Sequence, residues 1–252
     1  MDGLYVLKKR KQMNNKLTVI MPAAGKGSRL GLPYPKEIMQ LENGKALIDY
    51  SFDFFKDKNK DEVEFVIVIN EHKTDIVRYL SKYKGRFNIS FVYQDPAEQE
   101  YTGAIKSAYH LFGDYNVVML PDTIMKLKQN VDLHNNVISN LKTKGFVFFY
   151  KQETNPLMLT TKGSLSIDNG FVKKYEDKPI DGFFDYNAFW TSFGFTKKDF
   201  PMCIRFMEKS TLKELYNPEE IKLTPIYNSL GIEVLDYIDL GTWGEVKRQV
   251  ST

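Results

Sequence analysis

Apolar and polar positions follow two regimes along the chain. In the first half, short apolar runs at 17–21, 65–69, 89–93 and 117–120 are bounded by turn residues. Runs of this length fit strands buried on both faces. Between them, 46–55, 74–83 and 102–111 carry the spacing of amphipathic helices. Strands alternating with helices predict right-handed crossovers and a mostly parallel α/β sheet. In such sheets ligands bind beyond the carboxyl ends of the strands, and Gly25 and Asp122 fall at two such ends.

The second half has strand-like runs at 145–150, 165–167, 171–175 and 191–195, with helix returning only over 203–216. This pattern predicts an antiparallel part packed on the first half, with no linker between them.

Composition narrows the function. Hydrophobic residues make up 42% of the 252 positions, enough for a sizeable core. Lys and Arg number 35 against 32 Asp and Glu, so no basic excess points to nucleic acid. Cys203 is the single cysteine, which excludes an intrachain disulfide and a cysteine-cluster zinc site. No apolar run approaches the ~20 residues that span a bilayer. Residues 1–16 carry Lys8, Lys9, Arg10 and Lys11 without an apolar signal core, and read as a basic, solvated extension of a cytoplasmic protein. His72, His110 and His134 lack ligand spacing and are assigned no site.

The densest chemistry lies in Ala24-Gly25-Lys26-Gly27-Ser28-Arg29-Leu30-Gly31, directly after the first predicted strand. Closely spaced glycines let backbone N–H groups approach phosphate oxygens without interference from Cβ. Arg29 adds a planar fork of donors suited to phosphate. Lys36 adds a second positive charge, its direction restricted by Pro33 and Pro35. The loop is not a P-loop, since no Gly-Lys-Ser/Thr closes it, nor a dinucleotide fingerprint, since Leu30 stands where a glycine is needed. Taken alone, it also fits an ordinary strand-to-helix turn.

Five segments in order resemble one family. Ile20-Met21-Pro22-Ala23-Ala24-Gly25-Lys26-Gly27-Ser28-Arg29-Leu30, followed by Pro35-Lys36-Glu37, resembles the signature of the sugar-1-phosphate nucleotidylyltransferases, with glucose-1-phosphate thymidylyl- and uridylyltransferases nearest. Tyr93-Gln94-Asp95-Pro96 with Thr102-Gly103-Ala104-Ile105 is similar to the family's base-binding strand end and helix. Val117-Val118-Met119-Leu120-Pro121-Asp122 is similar to its strand ending in a metal-binding aspartate. Tyr175-Glu176-Asp177-Lys178-Pro179 resembles its sugar-phosphate segment, and Tyr237-Ile238-Asp239-Leu240-Gly241-Thr242 its second metal aspartate. The resemblance spans residues 17 to 245.

It implies a Rossmann-like (GT-A-like) nucleotidyltransferase fold, with one domain over 17–252 and an antiparallel sugar-binding part. It implies transfer from a nucleoside triphosphate to a phosphorylated small molecule, in nucleotide-sugar biosynthesis, with Mg²⁺ and release of pyrophosphate. Ala24, Gly25, Gly27, Arg29, Lys36, Gln94 and Gly103 would bind the nucleotide. Asp177 and Lys178 would bind the acceptor, and Asp122 and Asp239 the metal. Arg29, Lys36, Asp122 and Lys178 would carry the catalysis. No nucleic acid or membrane is implied, and the oligomeric state stays open, a homo-oligomer included.

The bland readings stand beside these. Asp122 and Asp239 also suit a helix cap or a turn, and Glu176-Asp177-Lys178-Pro179 suits a turn. The Gln94 amide offers a donor and an acceptor to a uracil or thymine edge, which puts UTP or dTTP before CTP. Two segments depart from the family pattern. Glu100 stands near the glycine that opens the base-binding helix, unless Gly103 fills that place, and a carboxylate there would suit a cytosine amine. Asn155-Pro156-Leu157-Met158 lacks the expected glycine, so an unusual sugar phosphate or a non-sugar phosphate stays open as acceptor. A nucleotide-sugar glycosyltransferase would want Asp-x-Asp where the chain has Asp122-Thr123-Ile124. A non-catalytic nucleotide-binding regulator would lack the metal and lysine positions, all of which are present.

Overall fold

The computed structural model describes residues 15–241 and Trp243, apart from Glu42, Gln99, Asn130, Gly182 and Tyr216. Most of the basic extension, and Thr242 of the last motif, lie outside them. The four strands expected in the first half form: β1 (Leu17–Pro22), β2 (Val63–Ile69), β3 (Asn88–Tyr93) and β4 (Tyr115–Met119). They lie in the order β3-β2-β1-β4, all parallel. The crossovers contain α1 (Leu47–Asp53), α2 (Asp75–Leu80) and α3 (Glu100–Ser107).

Period-two alternation divides the strands between two cores. Val19, Phe65, Ile67 and Val117 pack on one face beneath α1 and α2, with Phe52 and Ile76 among their partners. Ile20, Val66, Val68 and Val118 pack on the other face with Ala104 and Ile105 of α3. The chain winds outward from β1 to β3 on one face and returns to β4 through α3 on the other. Strand order therefore reverses between β1 and β4. At such a switch point the loops leaving adjacent strands diverge, and a crevice opens at their carboxyl ends.

The second half is not laid on the first; it continues the same sheet. Its strands are β5 (Thr123–Leu127), β6 (Phe146–Gln152), β7 (Gly163–Asp168), β8 (Phe171–Asp177), β9 (Ala188–Thr196) and β10 (Leu230–Asp239). β9 runs antiparallel to both β4 and β6, so β6 shares the direction of β1, and β10 is parallel to β6. The central sheet is thus mostly parallel. β7 and β8 form an antiparallel hairpin at its far edge, and β5 pairs antiparallel with the end of β10. The antiparallel part expected of the second half is present in these pairings; among the described strands the departure is β10, which runs parallel to β6.

Three helices complete the layers: α4 (Leu133–Lys144), α5 (Pro156–Leu159) and α6 (Phe200–Thr211). α4 was not anticipated, although its punctuation is readable. Asp132 accepts the Asn135 N–H at 3.1 Å as an N-cap, and Gly145 ends the helix with φ 74°. Leu133, Val137 and Leu141 form its buried stripe. α6 ends at Thr211, short of the expected 216. Among the described residues, no helix is long and apolar enough to cross a membrane.

Candidate active site at the strand switch point

The glycine loop leaves β1 at the crevice. The Ala23 N–H donates to Val68 O at 2.8 Å, and the Asn70 side chain donates to Ala24 O at 2.5 Å. These bonds tie the start of the loop to the end of β2. Gly25, Lys26, Ser28 and Arg29 are exposed beyond it. A Cβ on Gly25 would meet nothing within 4 Å, so its backbone faces open space. Gly27 takes φ 65°, a conformation costly for other residues, and the Leu30 N–H closes a turn on Gly27 O at 3.2 Å. Buried Leu30 packs with Met39, Leu47, Ile124 and Leu240, anchoring the far end of the loop. The loop is thus held at both ends with its N–H-rich centre free.

Lys36 opens a 3-10 turn, Lys36–Ile38, whose next residue points the other way. Glu37 is buried and ion-paired with buried Lys73 at 2.6 Å. Burial pushes the Glu37 carboxyl up, and Lys73 opposes that shift. The pair pins the turn, so the Lys36 ammonium reaches into the crevice and bonds the Asp122 carboxylate. Burial disfavours the Lys36 charge, but Asp122, with Glu37 and Asp239 behind it, outweighs burial and holds the ammonium above the usual lysine range.

Asp122 follows β4 and precedes β5, so no helix exists for it to cap. The β5–β10 register sets Asp239 opposite Thr123, one residue from Asp122. The Leu240 N–H also approaches Asp122 O at 3.4 Å. Two aspartates 117 positions apart in the numbering therefore meet through strand pairing. Asp239 keeps a turn role as well: its Oδ1 accepts the Gly241 N–H at 3.0 Å. Its Oδ2 accepts from Lys162 Nζ at 2.9 Å. Arg29 belongs to the same cluster, since a Cβ on Gly241 would stand 3.2 Å from its Nη2. Arg29, Lys36, Asp122 and Asp239 are thus brought together, and Lys162 joins them.

Sequence reasoning missed Lys162. It lies just before β7, in a stretch with no motif, and only the return of the β7–β8 hairpin brings it to Asp239. The Lys178 N–H donates to Lys162 O at 2.9 Å, which puts the two lysines side by side. Lys178 itself is exposed, with φ 50°. Lys213 Nζ bonds the carbonyl oxygens of both Asp177 and Lys178, fixing that turn. Asp177 faces inward instead. Its N–H donates to Ser210 Oγ at 2.8 Å, and burial pushes its carboxyl up against the charges of Lys178 and Lys213.

On the β3 side, Gln94 Nε2 donates to Glu98 O at 2.7 Å, which leaves its Oε1 as the atom open to a ligand. Glu100, not Gly103, takes the left-handed conformation a glycine would adopt freely, with φ 57°. Gly103 is buried against the backbone of Glu98, where a Cβ would lie 2.6 Å from the carbonyl carbon. Its lack of a side chain lets the 94–98 loop pack on α3.

Among the described residues, no group of three or more His, Cys, Asp or Glu side chains gathers around a metal position. Two neighbouring carboxylates nonetheless fit magnesium, which takes one or two carboxylates and completes its shell with phosphate oxygens and water.

An open α/β sheet with a glycine loop and two neighbouring carboxylates at its switch point has the fold of the sugar-phosphate nucleotidyltransferases. No protein-family model matches the sequence, and no curated protein does. Solved structures match over nearly the whole chain. A UDP-glucose pyrophosphorylase complexed with UDP-glucose aligns with TM-score 0.71 and 17% identity, covering 94% of this chain and 97% of that one. A UDP-glucose pyrophosphorylase from Acinetobacter baumannii aligns with TM-score 0.68 and 16% identity, over 93% and 92%. The inositol-1-phosphate CTP transferase from T. maritima aligns with TM-score 0.65 and 16% identity, over 94% and 95%.

Proposed function

We propose that this chain, acting as one nucleotidyltransferase domain, joins a pyrimidine nucleoside triphosphate to a sugar 1-phosphate or a similar phosphorylated acceptor, with magnesium, and releases pyrophosphate. The observation that carries the reading is the meeting of Asp122 and Asp239 beside the glycine loop, each bonded to a lysine. Two anions must approach each other in this reaction, so their charge has to be neutralised and their phosphates aligned in line.

The loop N–H groups of Gly25 and Gly27, with Arg29 and Lys36, receive the triphosphate. Lys178 receives the acceptor phosphate. An oxygen of that phosphate attacks the α-phosphorus. The new P–O bond forms as the α–β bridging P–O bond breaks, and its electron pair leaves with pyrophosphate. Arg29 and Lys36 stabilise the charge that collects there. Asp122 and Asp239 would hold magnesium, which when bound withdraws charge from the phosphate oxygens. Inward-facing Asp177 shapes the acceptor turn and reaches the acceptor only by way of Lys178.

For the base, Gln94 Oε1 would accept N3–H of uracil or thymine, since Nε2 is engaged by Glu98 O. This supports UTP or dTTP ahead of CTP. The named activities of the compared structures, with UDP-glucose and with CTP, support a pyrimidine. The test is direct. The purified chain is incubated with magnesium, each nucleoside triphosphate and a panel of sugar 1-phosphates and other phosphomonoesters, and pyrophosphate is followed. Pyrophosphate release that needs both substrates supports the reading; none with any pair refutes it.

A further inference from the structure

The least explained charge in the crevice is Lys162. Its ammonium bonds Asp239 Oδ2 at 2.9 Å and lies 6.0 Å from the centre of the Phe189 ring. The pair is partly buried, with side chains 22% and 31% exposed. A pair that solvent still reaches contributes modestly, since water and salt screen it and holding two side chains in one geometry costs entropy. Asp239 is already oriented by the Gly241 N–H. Stability and orientation thus give little reason for a lysine at this position.

The backbone beneath Lys162 is tightly constructed. Gly163 follows it, and a Cβ there would lie 1.9 Å from the indole nitrogen of Trp190. The indole therefore sits directly on the backbone and fixes the start of β7. Across the hairpin, Gly163 pairs with Asp177, and Lys162 O holds the Lys178 N–H. Lys162 and Lys178 are consequently adjacent, at the end of the β7–β8 hairpin that meets Asp239. Lys162 leans on a carboxylate it can leave, and Lys178 stands exposed beside it.

We propose that Lys162 is a second phosphate-binding lysine on the acceptor side, which moves from Asp239 to a non-bridging oxygen of the acceptor's phosphate. This deepens the proposed transferase reading and rests on it for the identity of the ligand. An acceptor phosphomonoester carries nearly two negative charges near neutral pH, and two adjacent ammonium groups match that charge better than one. The exchange also has a second consequence. When Lys162 turns to the phosphate, Asp239 loses its lysine partner, so acceptor binding and release of the Asp239 carboxylate are coupled.

The full chain and its Lys162→Met and Lys162→Arg variants are titrated calorimetrically with methyl phosphate, a phosphomonoester without a sugar. Methionine keeps the apolar stem over Phe189 and removes the charge. The affinity is expected to fall tenfold or more in Lys162→Met and to stay within threefold in Lys162→Arg. In steady state with a working acceptor, Lys162→Met is expected to raise the acceptor KM tenfold or more and to leave the triphosphate KM within threefold. Methyl phosphate affinity unchanged by Lys162→Met overturns the proposal, as does equal loss against both substrates. The two readings fail separately. A chain that releases pyrophosphate but binds methyl phosphate independently of Lys162 keeps the transferase and loses this site. A chain that binds it through Lys162 yet releases no pyrophosphate keeps the site and loses the transferase.

Discussion

Lys36 and Glu37 are neighbours in one 3-10 turn, yet they enter opposite worlds. Glu37 turns inward to Lys73, and the two side chains are 2% and 5% exposed. Lys36 turns into the crevice to Asp122, and that pair is 13% and 19% exposed. The same chemical pair does two jobs because its surroundings differ. A closed pair has no alternative partner, so it acts as a fixed strut. An open pair can exchange its lysine for phosphate and its carboxylate for a metal ion. Asp49 combines the two: it is buried and accepts from Tyr79 at 2.6 Å and Tyr83 at 3.0 Å, while its ion-pair partner Lys82 is 42% exposed. The comparison predicts that open-pair substitutions cost activity and closed-pair substitutions cost stability.

The largest effect is expected at Asp122→Asn. Its kcat/KM should fall about a thousandfold, or ~4 kcal/mol in the barrier, with the melting temperature essentially unchanged. Activity within about threefold of the parent, less than ~1 kcal/mol, would remove Asp122 from the chemistry. Next comes Lys73→Ala, which leaves Glu37 buried without its partner. It should cost about 3 kcal/mol of unfolding free energy, as breaking buried pairs does. A chemical denaturation series measures this, and Glu37→Leu combined with Lys73→Met should recover most of the loss. If Lys73→Ala unfolds at the parent's midpoint, the strut is not one.

Within the crevice the comparison sharpens further. Lys36→Ala should raise the triphosphate KM by about a hundredfold, ~2.7 kcal/mol, while Lys178→Ala should act mainly on the acceptor KM. The same loss against the same substrate in both variants would erase that division.

Asp49 gives a pH signature. Burial opposes its ionisation, but Lys82, Tyr79 and Tyr83 together hold its carboxyl below the usual range. The folded chain therefore binds fewer protons there than the unfolded chain. The associated stability is present above about pH 4, the ordinary carboxylate range, and is lost as pH falls below it. Asp49→Asn should cost about 2 kcal/mol at pH 7 and flatten the acid limb of stability against pH. An acid limb with the parent's slope would show that other carboxylates govern it. The smallest effect is at Gln94→Leu, about tenfold in kcat/KM with the preferred pyrimidine triphosphate, ~1.4 kcal/mol. A purine triphosphate used better than any pyrimidine by the parent chain would remove Gln94 from base selection.

Much of this was legible along the chain. The alternation of short apolar runs with amphipathic stretches determined the first four strands, their parallel direction and two of the loop positions at the crevice. Local backbone chemistry marked the glycine loop, because closely spaced glycines and a following Pro35-Lys36 have few other uses. The order of motifs pointed to Asp122 and Asp239 without saying how they meet. Tertiary structure alone decided the rest. The β5–β10 register put Asp239 beside Asp122, and the β7–β8 hairpin put Lys162 on Asp239. Neither pairing leaves a trace in local pattern, since strand partners are chosen by packing across the whole sheet. The parallel pairing of β10 with β6 was hidden for the same reason: Phe146, Phe148 and Phe149 are buried whichever way the neighbouring strand runs. So was the inward turn of Asp177. Whether an aspartate beside a lysine reaches solvent or the core depends on neighbours such as Ser210 and Lys213, which only the folded chain supplies.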